Sequence, residues 1–245
     1  MPPTWIDRYL TRIGLAGPAP LPDLHRAHLL TVPFENLSVH LDEEIVLTGD
    51  ALVAKVVDRR RGGFCYELNG AFATLLTALG HDVEFLAART HGQDGLGIPY
   101  DHLALRVGHW LVDVGFGAHS HYPLRLDQRG DQQDPGGTFR VEETADGDLD
   151  VVKDGKPEYR LWLRPQALAD FVTGCWWHRT SPTSLFTRSS LCSLTTVDGR
   201  VTLSDRMLIT TTSGERVERP LANDAEVLAA YRDTFGIVLD RLPAR

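Results

Sequence analysis

The chain has 245 residues, 42% hydrophobic and 24% charged, with 25 Lys and Arg against 33 Asp and Glu for a formal charge of −8. That length supports a core without disulfides or structural metals, and the acidic balance argues against binding through nucleic-acid phosphates or anionic membranes. No apolar run approaches the roughly 20 residues needed to span a bilayer, and Asp7 and Arg8 interrupt any secretory-signal pattern, so a cytoplasmic protein is expected.

The first eighty or so residues carry helical periodicity. Trp5, Tyr9 and Ile13 at i, i+4, i+8 predict a helix over Thr4–Ile13 that stops at Gly14. A second follows Pro22 through Leu24, Ala27 and Leu30 and ends before Pro33. Asp50 reads as the N-cap of a helix carrying Leu52, Val53, Val56 and Val57. The clearest helix begins near Cys65, where Leu68, Phe72, Leu75, Leu76 and Leu79 form one stripe ended by Gly80.

The period then becomes two. Val83–Ala88, His102–Val107 and Trp110–Val114 alternate as strands. Asp146-Gly147 and Asp154-Gly155 then sit between further alternating runs as hairpin turns. The tail predicts strands at Val201–Leu203 and Met207–Thr211, a turn at Gly214 and a helix from about Asp224 to Phe235. Helices first, antiparallel sheet second and a small α/β piece last make an α+β protein.

Cys65, Cys175 and Cys192 are an odd set without disulfide or zinc spacing, so thiols are expected, and no metal site. Cys65 stands apart. Gly62-Gly63 turns the chain just before it, and its own helix then packs into the core. A thiol in a first helical turn lies beside backbone N–H groups that have no helical partners, which favours the thiolate. The same pattern also fits an inert buried cysteine.

If Gly108-His109 is a hairpin centre, Val107 faces Trp110, Leu105 faces Val112 and Ala104 faces Asp113. His102 and Asp113 are then diagonal neighbours on one face, within side-chain reach. The other face, from Leu103 to Val114, is wholly apolar. Such a pair is either a solvated surface contact or a base with the carboxylate that orients it.

Cys65, His102 and Asp113 together have the composition of a Cys-His-Asp triad, and at this point the sequence resembles the arylamine N-acetyltransferases. The matching segments are Val32-Pro33-Phe34-Glu35-Asn36-Leu37, Arg61 to Asn69, His102, Asp113-Val114-Gly115-Phe116-Gly117, Thr180 to Phe186, and Leu191-Cys192-Ser193-Leu194.

The resemblance implies a helical bundle over residues 1–82 carrying the nucleophilic cysteine, an antiparallel β-barrel over 83–175 carrying His and Asp, and an α/β lid over 176–245. The core is expected to be like that of cysteine proteases. It implies ping-pong acetyl transfer from acetyl-CoA, a co-substrate and not a bound cofactor, to a small aromatic amine or hydrazine. Cys65 would be the nucleophile, His102 its base and Asp113 the orienting group. Phe34, Thr90 and Phe116 match acceptor-pocket positions, and Gly115, Thr183 and Phe186 match positions near CoA. Glu35, Glu67 and Asn69 match the motifs as hydrogen-bonding supports; Trp176-Trp177-His178 is unusual and reads as lid packing or a pocket wall. The stretch between His102 and Asp113 and the tail are shorter than in many members, which implies a trimmed hairpin and a more open pocket. An amide synthase of the same family, releasing a polyketide thioester as a macrolactam, is the alternative; a peptide-bond hydrolase or transglutaminase would not explain the lid motif or Pro33-Phe34-Glu35-Asn36, and a non-catalytic binding protein would show a lost triad member, whereas none is lost.

Overall fold

A computed structural model describes residues 3–244; the extreme ends of the first and last expected segments lie outside them. The N-terminal helices are Trp5–Arg12, capped by Thr4, Leu21–Thr31, a single turn at Leu37–His40, and Gly49–Val53. The last begins after Thr48, so Asp50 lies in its first turn and is not the cap expected from sequence. It runs on into a wide π-helical turn over Ala54–Asp58, which places Lys55, Val56 and Val57 all in the interior. The helix Cys65–Ala78 lies at the centre, with Leu68, Phe72, Leu75 and Leu76 fully buried. Each such side chain contributes roughly 2 kcal/mol on transfer from water.

Among the described residues, nine strands form one antiparallel sheet. Eight lie side by side in the order Leu124–Arg125, Trp110–Val112, His102–Val107, Val83–Gly92, Lys156–Leu161, Leu149–Lys153, Gly137–Glu143 and Gln132–Asp134, and Gly95–Leu96 pairs with Val83–Gly92. The two end strands meet through Gln132, whose side chain accepts from the Arg125 N–H and donates to the Arg125 carbonyl, so the sheet curls into a nearly closed barrel. Val107 pairs with Trp110 and Leu105 with Val112, the register expected from the Gly108-His109 centre.

The alternation on these strands separates two cores instead of core from solvent. Leu103, Leu105, Val107, Val112 and Val114 pack with the helices. Ala104 and Leu111 face the barrel interior with Phe139, Val141 and Tyr159. A sequence period of two cannot tell a solvated face from a second buried one.

A second antiparallel sheet joins distant parts of the chain: Phe34–Glu35, Leu191–Thr195, Gly199–Ser204, Met207–Thr212 and Glu215–Pro220. The final strand is exposed at every residue, so no alternation marks it in the sequence. The helix Asp224–Phe235 packs Val227, Tyr231 and Phe235 with Cys192 and Leu203 of this sheet. The helix Val172–Thr180 crosses the 175/176 join at which the lid was expected to begin. No helix among the described residues is long and apolar enough to cross a membrane.

The interior holds several histidines. Burial, with Arg12 and His25 nearby, pushes His28 well below the usual imidazole value. Burial likewise lowers His25, and lowers His119 to about 3. Once pH falls below about 6.5 the unfolded chain takes up protons at these sites that the folded chain refuses, so native stability falls with pH. The urea midpoint is expected to drop between pH 7 and pH 5, and more shallowly in His28→Phe; equal slopes would remove His28 from this account.

Candidate active site

The site is assembled where the Cys65–Ala78 helix meets the His102–Val107 and Trp110–Val112 hairpin. Asn69 makes the junction. Four residues on from Cys65 and so on the same helix face, its Nδ2 donates to the Leu103 carbonyl at 2.7 Å and to Asp113 Oδ1 at 2.9 Å. Its Oδ1 accepts from the Val114 N–H at 3.0 Å. One buried amide thus holds both arms of the hairpin. Asp113 Oδ1 also accepts from the Gly115 N–H at 2.9 Å, and Oδ2 lies 2.7 Å from His102 Nε2. His102 and Asp113 are each 2% exposed, which makes them an interior pair and not a solvated one. The Asp113 N–H donates to His25 Nε2 at 3.3 Å, while His25 Nδ1 donates to the His121 carbonyl.

Burial alone raises a carboxylate, but the His102 charge and hydrogen bond, with help from His119 and Asn69, hold Asp113 well below its ordinary value. It therefore stays ionised and fixes His102 through Nε2, leaving Nδ1 as the nitrogen free for another partner. Cys65 moves the other way. Burial pushes the thiol well above its ordinary value, the Leu103 backbone hydrogen bond opposes this, and Asp113 and Asp101 add to the rise. Loss of water thus opposes the lowering expected from the helix N-terminus.

The turn before Cys65 is held from behind by buried charge. Arg61 donates to both oxygens of Glu35, at 2.9 and 3.2 Å, and to Glu43 at 3.0 Å. Lys55 bonds Glu67 and donates to Ser38 Oγ at 2.8 Å, and Glu67 accepts from the Phe64 N–H at 3.2 Å. Burial opposes ionisation of Glu35, yet Lys55 and Arg61 outweigh it and lower its pKa. Two close approaches require glycine: a Cβ on Gly62 would stand 1.8 Å from the Pro33 carbonyl oxygen, and one on Gly115 would stand 2.7 Å from Cys65 Cα.

Cys65 and His102 open on a cavity of about 950 Å³. Phe34, Thr90, Gly115, Phe116, Thr183 and Phe186, all marked in the sequence, line it as well, while Asp113 sits behind His102. The Phe116 ring lies 5.1 Å from the His102 ring, edge to face, and Phe34 and Phe186 are 5.9 Å apart. Asn36 fixes the Phe186 carbonyl at 3.0 Å and accepts from the Leu191 N–H. Sequence reasoning missed Asp101, which lines the cavity and bonds Thr90 and His178, and two arginines, Arg89 and Arg200. Of the tryptophan pair, Trp177 lines the cavity and Trp176 is 62% exposed. Among the described residues no group of three or more His, Cys, Asp and Glu is placed to hold a metal ion.

A family model described as N-acetyltransferase matches residues 19–243. The chain belongs to this family. It is 36% identical to an arylamine N-acetyltransferase of Mycolicibacterium smegmatis, over 97% of this chain and 93% of that protein. Its fold is similar to that of an arylamine N-acetyltransferase from Salmonella typhimurium, with a TM-score of 0.88, 30% identity and coverage of 96% and 92% of the two chains. It is likewise similar to a Mycobacterium marinum arylamine N-acetyltransferase structure in complex with CoA, with a TM-score of 0.85, 32% identity and coverage of 95% and 92%.

Replacing Asn69 by Leu would strand the Leu103 carbonyl and the Val114 N–H away from water and leave Asp113 Oδ1 with the Gly115 N–H alone. A loss of about 3 kcal/mol in urea-unfolding free energy is expected; a loss under about 1 kcal/mol would show that other contacts join helix and hairpin.

Proposed function

We propose that the chain transfers an acetyl group from acetyl-CoA to the nitrogen of arylamines, arylhydrazines or related amines through an acetyl-Cys65 intermediate. The observation that carries this is the opening of a helix-terminal thiol and of His102, backed by buried Asp113, on one aromatic-walled cavity. The names of its relatives, and the CoA held by one of the structures it resembles, support the same reading.

Cys65 is the nucleophile, His102 its base and Asp113 the group that orients the imidazole. In the first half-reaction His102 Nδ1 takes the Cys65 proton and the thiolate attacks the thioester carbonyl. The tetrahedral adduct expels CoA, whose sulfur leaves with the proton held by His102. In the second, the amine attacks acetyl-Cys65, His102 accepts the amine proton, and collapse releases the amide and returns that proton to Cys65. Exchange of one thioester for another is nearly balanced, whereas thioester to amide runs downhill. Because burial disfavours a free thiolate here, His102 must supply both the base and the positive partner. In this reading Phe34, Thr90 and Phe116 form the acceptor wall and Gly115, Thr183 and Phe186 lie along CoA. On the same reading the parts are a bundle (1–82), a barrel (83–175) and a lid (176–245), with the helix Val172–Thr180 spanning the last join.

Incubation with acetyl-CoA and no acceptor should add one acetyl group, mapping to Cys65 by intact mass and peptide analysis. No adduct, with Cys65 still open to iodoacetamide, would mean a different acyl donor. Cys65→Ser should lower turnover at least about a thousandfold while keeping the fold. His102→Gln should slow alkylation of Cys65 at neutral pH by about a hundredfold; unchanged labelling would remove His102 from thiol activation.

A further inference from the structure

The second sheet has one covered edge and one open edge. At the Phe34–Glu35 side the Glu35 N–H donates to the Gly63 carbonyl at 2.9 Å, so that edge is occupied. No strand among the described residues pairs with the far side of Glu215–Pro220, and every residue of it is exposed. Its near side pairs with Met207–Thr212 in unbroken register, from Thr212 with Glu215 to Met207 with Pro220. No bulge twists this edge away from a partner.

The pleat fixes which backbone groups face outward. Leu221, directly after the strand, donates its N–H to the Arg206 carbonyl at 2.8 Å. Alternate residues back along the strand, Arg219, Val217 and Glu215, therefore bond inward. The N–H and C=O groups of Arg216 and Glu218 are left pointing outward, and Pro220 has no N–H to offer.

The side chains fit a copy of the same strand. In antiparallel pairing centred on Val217, Arg216 meets Glu218 of the second copy, Glu215 meets its Arg219, and Val217 meets Val217. Each Arg216–Glu218 pair also joins the outward backbone groups, giving two N–H···O bonds that the two-fold axis repeats. The neighbouring registers fail. Centring on Arg216 sets guanidinium against guanidinium, and centring on Glu218 sets carboxylate against carboxylate. A slip that pairs Arg216 with Val217 opposes an outward-bonding residue with an inward-bonding one.

Arg216 already donates to Glu218 of its own chain, at 2.6 and 2.9 Å. An exposed pair like this contributes little by itself, but with its copy across the axis it closes a ring of alternating charge. The chain as a whole, at −8, repels its own kind, whereas this segment holds two Glu and two Arg.

We propose that Glu215–Pro220 is a self-association edge, on which two copies of this chain pair antiparallel about Val217 and join their sheets across a two-fold axis. The surface is small, so the dimer is reversible and depends on protein concentration. The inference stands independently of the acetyl-transfer reading.

Sedimentation velocity of the full chain between about 1 and 500 µM tests it. The wild type should pass from one to two chain masses over this range. Arg216→Glu places a carboxylate opposite Glu218, and Glu218→Arg a guanidinium opposite Arg216, so each variant alone should dimerise at least about tenfold more weakly. An equimolar mixture of the two restores opposite charges at both positions and should dimerise about as well as the wild type. A wild type that stays monomeric throughout, variants that dimerise unchanged, or a mixture that stays monomeric would each overturn the proposal.

A second measurement keeps the native charges. Val217→Cys sets two thiols about 4.5 Å apart between Cα atoms across the axis, within disulfide reach. Mild oxidation should cross-link it at least about tenfold faster than Val238→Cys, a control position that is more exposed (76% against 57%). Equal rates would overturn the pairing.

Discussion

The arrangement depends on one buried amide. Asn69 has four hydrogen-bonding positions, two donors and an acceptor with two lone pairs. Three of them are spent on the hairpin: both donors, on Leu103 and Asp113, and the acceptor, on Val114. The helix that presents Cys65 and the strands that present His102 and Asp113 come from parts of the chain more than thirty residues apart, and hydrophobic packing by itself permits them to slide. Directional bonds in a water-free junction do not, because every displaced donor or acceptor stays unsatisfied. Asp113 extends the same junction to His102, so the orientation of the imidazole is set by the seating of the helix.

Behind this junction the protein places charges where oil would have been simpler. Glu35, Arg61, Lys55 and Glu67 are all buried, with Glu43 at the rim. A buried network of this kind contributes little net stability over an apolar core of equal volume. Its value here is positional: Arg61 ties the turn before Cys65 to Glu35, and Glu67 holds the Phe64 N–H that opens the helix. The glycines between them, Gly62 and Gly63, lie so close to Pro33 and Glu67 that a Cβ would clash at either.

Much of this was legible in the amino acids, and the limits are instructive. The helix through Cys65 announced itself by a stripe of leucines, and the hairpin by its turn dipeptide and strict alternation, which together set the register of Leu105 with Val112. Alternation could not say that the second face is also buried, because a barrel interior and solvent impose the same period. The start of the helix at Gly49 was misplaced by a residue or two since Thr48 and Asp50 carry similar capping chemistry. Arg200 gave no signal at all: an arginine beside a turn at the head of a short strand looks like any solvated edge residue. Only the fold, by bringing the strand Gly199–Ser204 beside Gly117, puts it on the cavity wall.

The neighbouring tryptophans of the Val172–Thr180 helix have a consequence of their own. Trp177 looks into the cavity and Trp176 into water, one residue apart on the same helix. Indole emission follows the polarity and contacts of its surroundings, so an aromatic molecule entering the cavity alters one of these fluorophores and spares the other. A small dissolved quencher discriminates in the opposite sense. The protein thus carries, without any label, an optical gauge of cavity occupancy beside its own internal standard.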